Sequence, residues 1–154
     1  MMIELYPLKF HPVFKEKIWG GSKIKQVLGK NDVPANCGES WEISGVGGNV
    51  SLVQEGALKD KSLTQLIDTF KADLVGEANF SRYGNEFPLL IKFLDANDDL
   101  SIQVHPNDEL AKQRHNSLGK TEMWYVVQAD ENAKLISGFS KTTEKAEFSE
   151  KVTT

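Results

Sequence analysis

Two short stretches, Leu100-Ser-Ile-Gln-Val-His-Pro106 and Gly119-Lys-Thr-Glu-Met-Trp-Tyr125, carry three side chains with metal-ligand chemistry: Gln103, His105 and Glu122. The first stretch alternates apolar and polar residues in the manner of a half-buried strand. Side chains two apart on a strand share a face. Gln103 and His105 are therefore expected to point together with Ser101 beside them, while Ile102 and Val104 point the other way. If that face looks into a cavity, Glu122 on a neighbouring strand would add a carboxylate to an imidazole and an amide oxygen. Such a nitrogen and oxygen donor set suits zinc, with bonds of about 2.0–2.2 Å. Structural zinc usually recruits thiolates, and the single thiol, Cys37, is remote in sequence, so an open catalytic site is the better reading. A neutral glutamine oxygen leaves more positive charge on the ion than a second carboxylate would, which suits a Lewis acid. The plainer alternative stays open. His105 could be a surface residue, Gln103 could bond backbone, and Glu122 could pair with Lys120 or Lys92. Spacing alone favours that alternative, because a fourth ligand is needed and no histidine follows His115.

Lys92 interrupts the apolar run Leu89-Leu-Ile-Lys-Phe-Leu94. A buried ammonium without a partner is costly. Lys92 is thus expected either to snorkel to the sheet edge or to face a polar cavity holding an anion. If the strand begins as early as Lys120, that residue shares parity with Glu122, which would put a cation beside the proposed metal. Two lysines, Ser101 and a metal together suit an anionic, oxygen-rich ligand such as a sugar phosphate. No Gly-rich phosphate loop is present, so side chains would hold the phosphate as point charges. His11, before Pro12 in a turn, and His115, ending a polar helical stretch, read as solvated.

The elements that must position these groups are mostly strands. Strands are expected at Leu5–Phe10, Glu39–Ile43, Val50–Val53, Leu89–Leu94, Ser101–His105, Glu122–Val127 and Lys134–Ile136, separated by Gly, Asn and Asp turn signals. Ser62-Leu-Thr-Gln65 reads as a capping box opening a helix that carries Leu63, Leu66, Ile67, Phe70 and Leu74, with Gly76 as its stop. Shorter helices are expected at Ser22–Leu28, Asn107–Arg114 and, capped by Thr142, Thr143–Lys151. The order implies a mainly β chain with some α, its hairpins building a sandwich or small barrel. The last residues, Glu147–Thr154, stop within an amphipathic segment without a closing strand, so sheet edges are expected to be open.

At 154 residues the chain is one domain by length, with 40% hydrophobic and 26% charged residues, as in ordinary globular proteins. A net charge of -4 without a basic patch argues against nucleic-acid binding. No apolar run approaches the ~20 residues that span a bilayer. The N-terminal Met-Met-Ile-Glu-Leu-Tyr-Pro lacks the pattern of a secretory signal. One cysteine is compatible with a reducing cytoplasm, the expected location.

Five motifs run in order along the chain: Trp19-Gly-Gly21, Gly38-Glu-Ser-Trp-Glu-Ile-Ser44, Pro88-Leu-Leu-Ile-Lys-Phe-Leu-Asp-Ala96, Leu100-Ser-Ile-Gln-Val-His-Pro-Asn-Asp-Glu109 and Gly119-Lys-Thr-Glu-Met-Trp-Tyr125. Together they resemble the type I phosphomannose isomerases, particularly the shorter bacterial form. The resemblance implies a cupin-like double-stranded β-helix (a jelly-roll barrel), incomplete in this chain, with the helical insertion near residues 62–75. It implies one zinc ion per chain, with Gln103, His105 and Glu122 as three of four protein ligands. Lys120 matches a lysine lining the active site. Ser101 and Lys92 match substrate-phosphate or pocket contacts, and Trp19 and Glu39 match pocket-lining positions. Core packing for Trp19 and a strand-edge ion pair for Glu39 are the plainer readings. Family members are longer, and the family's second histidine ligand and catalytic arginine have no counterpart here, so the chain corresponds to an N-terminal half. The implied reaction is zinc-dependent interconversion of mannose 6-phosphate and fructose 6-phosphate, with a phosphorylated hexose as partner. A non-catalytic cupin module that binds sugar or metal is the alternative. A cupin oxygenase is disfavoured, because its iron site commonly wants two histidines and a carboxylate, and Gln103 stands in the ligand row.

Overall fold

The computed structural model describes residues 4–153; the first three residues of the N-terminal segment read above and Thr154 lie outside them. The chain divides into two compact units, Met1–Gly119 and Lys120–Thr154.

In the first unit, strands β1 (Val13–Gly21), β2 (Cys37–Ser44) and β3 (Leu90–Leu94) form an antiparallel sheet in the order β1-β2-β3. Lys15 opposes Glu39 and Val13 opposes Trp41 across one edge of β2. Trp41 opposes Lys92 and Glu39 opposes Leu94 across the other. The ladder between β1 and β2 is irregular after Lys15, and the end of β1 closes tightly on the start of β2. A Cβ on Gly20 would stand 2.2 Å from the Asn36 carbonyl oxygen, so only glycine fits that approach.

Helix α1 (Lys23–Gln26) follows β1 directly. The helical layer consists of α2 (Leu63–Phe70), α3 (Ala72–Val75) and α4 (Glu77–Tyr83), and α5 (Asp108–His115) follows β3. The capping box is formed: Gln65 N–H donates to Ser62 Oγ at 3.2 Å, and Ser62 N–H donates to Gln65 Oε1 at 2.9 Å. Leu66 packs with Val53 and Leu58 in the core, flanked by Leu5, Tyr6, Leu8, Phe10, Phe70 and Leu74. The single helix expected up to Gly76 is instead broken at Lys71, which takes a positive φ of 49°. Phe70 and Leu74 reach the core from either side of that break.

Leu5–Phe10 does not form the expected strand. Pro7 cannot donate to a ladder, and the segment's one β-bridge is Phe10–Val53, beside a single Gln54 N–H bond to the Lys9 carbonyl at 2.8 Å. Val50–Val53 is likewise reduced to single bridges at Leu52 and Val53. Ser101–His105, Glu122–Val127 and Lys134–Ile136 are also irregular rather than extended in a sheet. Alternation specifies which face of a strand would be buried, whereas its backbone hydrogen bonds must come from a partner. No segment among the described residues pairs with these three. Their apolar side chains stay open, Val104 at 87% and Met123 at 90% exposure. The second unit, taken by itself, is irregular up to α6 (Lys145–Thr153), where Phe148 meets Phe139 edge-on with ring centroids 5.4 Å apart.

The helical layer depends on both its cap and its buried leucine. Ser62→Ala is expected to lower unfolding stability by about 1 kcal/mol and Leu66→Ala by about 2–5 kcal/mol, in urea titrations followed by circular dichroism. A Ser62→Ala loss as large as that of Leu66→Ala would contradict the view that packing dominates this layer.

Candidate functional site

One cluster of the predicted site residues lies on one face of the sheet. Glu39 projects from the middle of β2 and is 8% exposed. Its Oε1 meets Lys92 Nζ on β3 at 3.2 Å. Its Oε2 accepts a hydrogen bond of 2.6 Å from Trp41 Nε1, two residues along the same strand. Lys92 is thus neither bare in an apolar run nor simply snorkelled; it is the ion-pair partner of a buried carboxylate. Lys15, opposite Glu39 on β1, places its ammonium 5.1 Å from the centre of the Trp41 ring and also bonds Asn49. Trp19 is half-buried near the end of β1, its ring so close to Gly38 that a Cβ there would come within 2.7 Å of it.

Two residues absent from the sequence-based set contribute to this region. Trp41 supplies the second bond to Glu39, and the signal for it was its spacing of two from Glu39 on a strand. Asp95 is 6% exposed just beyond β3, and its carboxylate accepts from the Lys23 backbone N–H at 2.6 Å. Gly21 makes room for it, since a Cβ there would lie 2.7 Å from a carboxylate oxygen. Asp95 therefore ties the exit of β3 to the turn that follows Trp19. The cue was the Gly20-Gly21 pair before a helix start, which marks a close approach.

The proposed metal donors are distributed between the two units. In the first, Ser101 and Gln103 are exposed, and Gln103 Nε2 donates to Ser101 Oγ at 3.0 Å. That bond leaves the amide oxygen as the atom Gln103 would offer a cation. His105 is half-buried and lines a hollow with Val104, Pro106, Leu110, Arg114 and His115. In the second unit, Lys120 Nζ pairs with Glu122 Oε1 at 3.2 Å. Among the described residues, no three His, Cys, Asp or Glu side chains gather to hold a metal ion. The donor types still fit zinc, one imidazole nitrogen with two oxygen donors, one short of a tetrahedral set.

Burial pushes the Glu39 carboxyl pKa up, but the Trp41 N–H and the Lys92 ammonium outweigh it, with Lys17 adding to them, and hold it below the ordinary 4.5. A group depressed on folding contributes stability that is fully present above its unfolded value and is lost as pH falls through the folded one. Stability is therefore expected to drop on acidification below 4.5, the ordinary value. Glu39→Gln should make that acid-side decline shallower, read as urea midpoints from neutral into acid pH. An unchanged slope in the variant would show that Glu39 is not coupled to folding.

Sequence and structure comparisons place these features in a family. The model of the type I phosphomannose isomerase catalytic domain matches residues 7–146. The chain is 41% identical over 140 residues to the mannose-6-phosphate isomerase ManA of Bacillus subtilis, covering 90% of this chain and 42% of that protein. It is 41% identical over 132 residues to the mannose-6-phosphate isomerase of Streptococcus mutans, covering 86% of this chain and 40% of that one. The crystal structure of the Bacillus subtilis mannose 6-phosphate isomerase superposes with a TM-score of 0.72 at 40% identity, over 82% of this chain and 39% of that one. The chain thus spans about two fifths of the length of these relatives. Its antiparallel sheet with flanking helices is the mixed β/α arrangement of the cupin-fold isomerases. The chain belongs to the type I phosphomannose isomerases, within their catalytic domain.

Proposed function

We propose that the chain carries part of the active site of a zinc-dependent mannose-6-phosphate isomerase that interconverts mannose 6-phosphate and fructose 6-phosphate in the cytoplasm. The observation that carries this reading is the catalytic-domain match over residues 7–146. It includes every residue singled out above for the site. The lone cysteine supports the cytoplasmic assignment, and no helix among the described residues is long and apolar enough to cross a membrane.

Moving a hydrogen between adjacent carbons of a sugar requires removal of a proton beside the carbonyl, stabilisation of charge on the oxygen, and a grip on the remote phosphate. Lys92 and Ser101 are the residues proposed to hold the phosphate. Binding a non-reacting part of the substrate orients the reacting carbons. Trp19 and Glu39 would line the sugar pocket. Gln103, His105 and Glu122 are proposed to hold a single zinc ion, which when bound supplies electrophilic stabilisation of negative charge on the substrate oxygen. Lys120 would stabilise charge or take part in proton transfer beside Glu122, to which it is already paired at 3.2 Å.

A second reading, a cupin module that binds metal or sugar without turnover, is favoured by the donor count: the three proposed zinc donors are one short of the usual four. A coupled assay with mannose 6-phosphate and equilibrium dialysis with zinc separate the two. They would be run on the 154-residue chain and on the same segment joined to the remainder of the Bacillus subtilis protein. The joined protein is expected to turn over substrate and to lose its zinc in His105→Ala. Its Lys120→Met form should lose about 10²–10⁴-fold in kcat, the scale of a positioned proton-transfer group. The 154-residue chain is expected to bind zinc weakly and turn over little or no substrate. A zinc-loaded joined protein that is inactive would overturn the catalytic reading in favour of a binding role.

A further inference from the structure

Glu39 has two oxygens and two different partners, and the partners are locked to each other. Trp41 and Lys92 face one another across the β2–β3 ladder, while Glu39 lies two residues before Trp41 on the same face of β2. The indole N–H takes Oε2 at 2.6 Å and the ammonium takes Oε1 at 3.2 Å. A carboxylate bonded through one oxygen can still turn about its side-chain torsions; bonded through both, it has one orientation. The indole is itself held, because the Lys15 ammonium sits 5.1 Å from its ring centre on the β1 side.

We propose that Trp41 is a positioning residue: its indole N–H fixes the Glu39 carboxylate, which in turn fixes the Lys92 ammonium where the phosphate of a sugar phosphate would meet it. The functional end of this chain of contacts rests on the phosphate role given to Lys92 above. The ammonium is well suited to that task, since its side chain is 21% exposed, enough to offer a face to an anion while Glu39 holds it. A flexible lysine must lose rotamer freedom to bind a ligand. The Trp41–Glu39 contact makes part of that ordering before the ligand arrives, which is preorganisation. In this scheme Trp41 acts on the substrate only through Glu39 and Lys92.

The test uses the 154-residue chain and inorganic phosphate, and it reads groups that a merely structural tryptophan would leave unmoved. In the wild-type chain the Trp41 Nε1–H resonance is expected to follow the titration of Glu39 and to lose that response in Glu39→Gln. Trp41→Phe keeps an aromatic side chain and removes the donor together with the five-membered ring that carries it. It should raise the Glu39 titration midpoint, seen by carbon NMR of the carboxyl. It should also weaken phosphate binding, seen at the Lys92 Nζ resonance, by about tenfold, the scale of one hydrogen bond to a charged group. Trp41→His, which restores an N–H donor, should recover part of both. A Trp41 resonance blind to Glu39 overturns the proposal even if Trp41→Phe fails to fold. An unmoved Glu39 midpoint in folded Trp41→Phe, or equal phosphate affinity in the two proteins, with no binding in either included, overturns it as well. The Glu39 readings need no substrate, so inactivity towards sugar phosphates would count against the proposed function and leave the Trp41–Glu39 coupling to be judged on its own.

Discussion

Strand β2 is bonded along both of its edges, and that double pairing fixes more of this molecule than any side-chain contact. Its odd positions carry Glu39 and Trp41 towards Lys15 and Lys92. Its even positions carry Ser40, which donates to Glu42 at 2.6 Å, and Glu42, which meets Lys30 at 2.8 Å. The Gly38 carbonyl accepts from Asp95 N–H at 2.9 Å, so even the turn after β3 is referred back to this strand. Because side chains alternate with period two, a slip of one residue would exchange the two polar sets between faces. Pairing on both sides is what forbids the slip.

The charge pattern on the Glu39 face serves geometry more than stability. A buried or half-buried ion pair gives up hydration to form, and its attraction roughly offsets that loss. What the arrangement does secure is direction. The indole N–H on one oxygen and the ammonium on the other satisfy the carboxylate. The same logic applies to Asp95, whose charge is buried against a backbone N–H where only glycine leaves room. Among the described residues no buried side-chain nitrogen or oxygen lacks a hydrogen-bond partner.

What could be read from the sequence was whatever is encoded locally. The capping box at Ser62 and Gln65, the alternation of β2 and the apolar run of β3 all appear where their residues dictate. Helix α5 is capped by Asn107, whose side chain accepts from Leu110 N–H, close to the expected limits. β1 escaped notice because its pattern, with Lys15, Lys17 and Trp19 on one side and Glu16 and Ile18 on the other, lacks an apolar face to announce it. The break at Lys71 and the helix α4 beyond it carried no signal stronger than Gly76. The stretch around Gln103 alternates and the one around Glu122 is rich in strand-forming residues, yet neither has a ladder, because pairing is non-local and local pattern says nothing about partners. The same division runs through the site. The ion pair considered for Glu39 is present with Lys92 as its partner, but between neighbouring strands and not at a free edge, while the indole clamp needed both the register and the rotamer.

Cys37 opens β2 with its side chain fully enclosed, and its thiol donates to the Glu39 carbonyl at 3.3 Å. Burial pushes its pKa up, with the nearby Asp95 and Glu16 charges acting in the same direction. Thiolate is the form that reacts with alkylating reagents and peroxide, so the sulfur is shielded both by packing and by protonation. Its reactivity is set by how often the β1–β2 seam parts, which makes the sulfur an internal clock of local opening beside the Glu39 cluster.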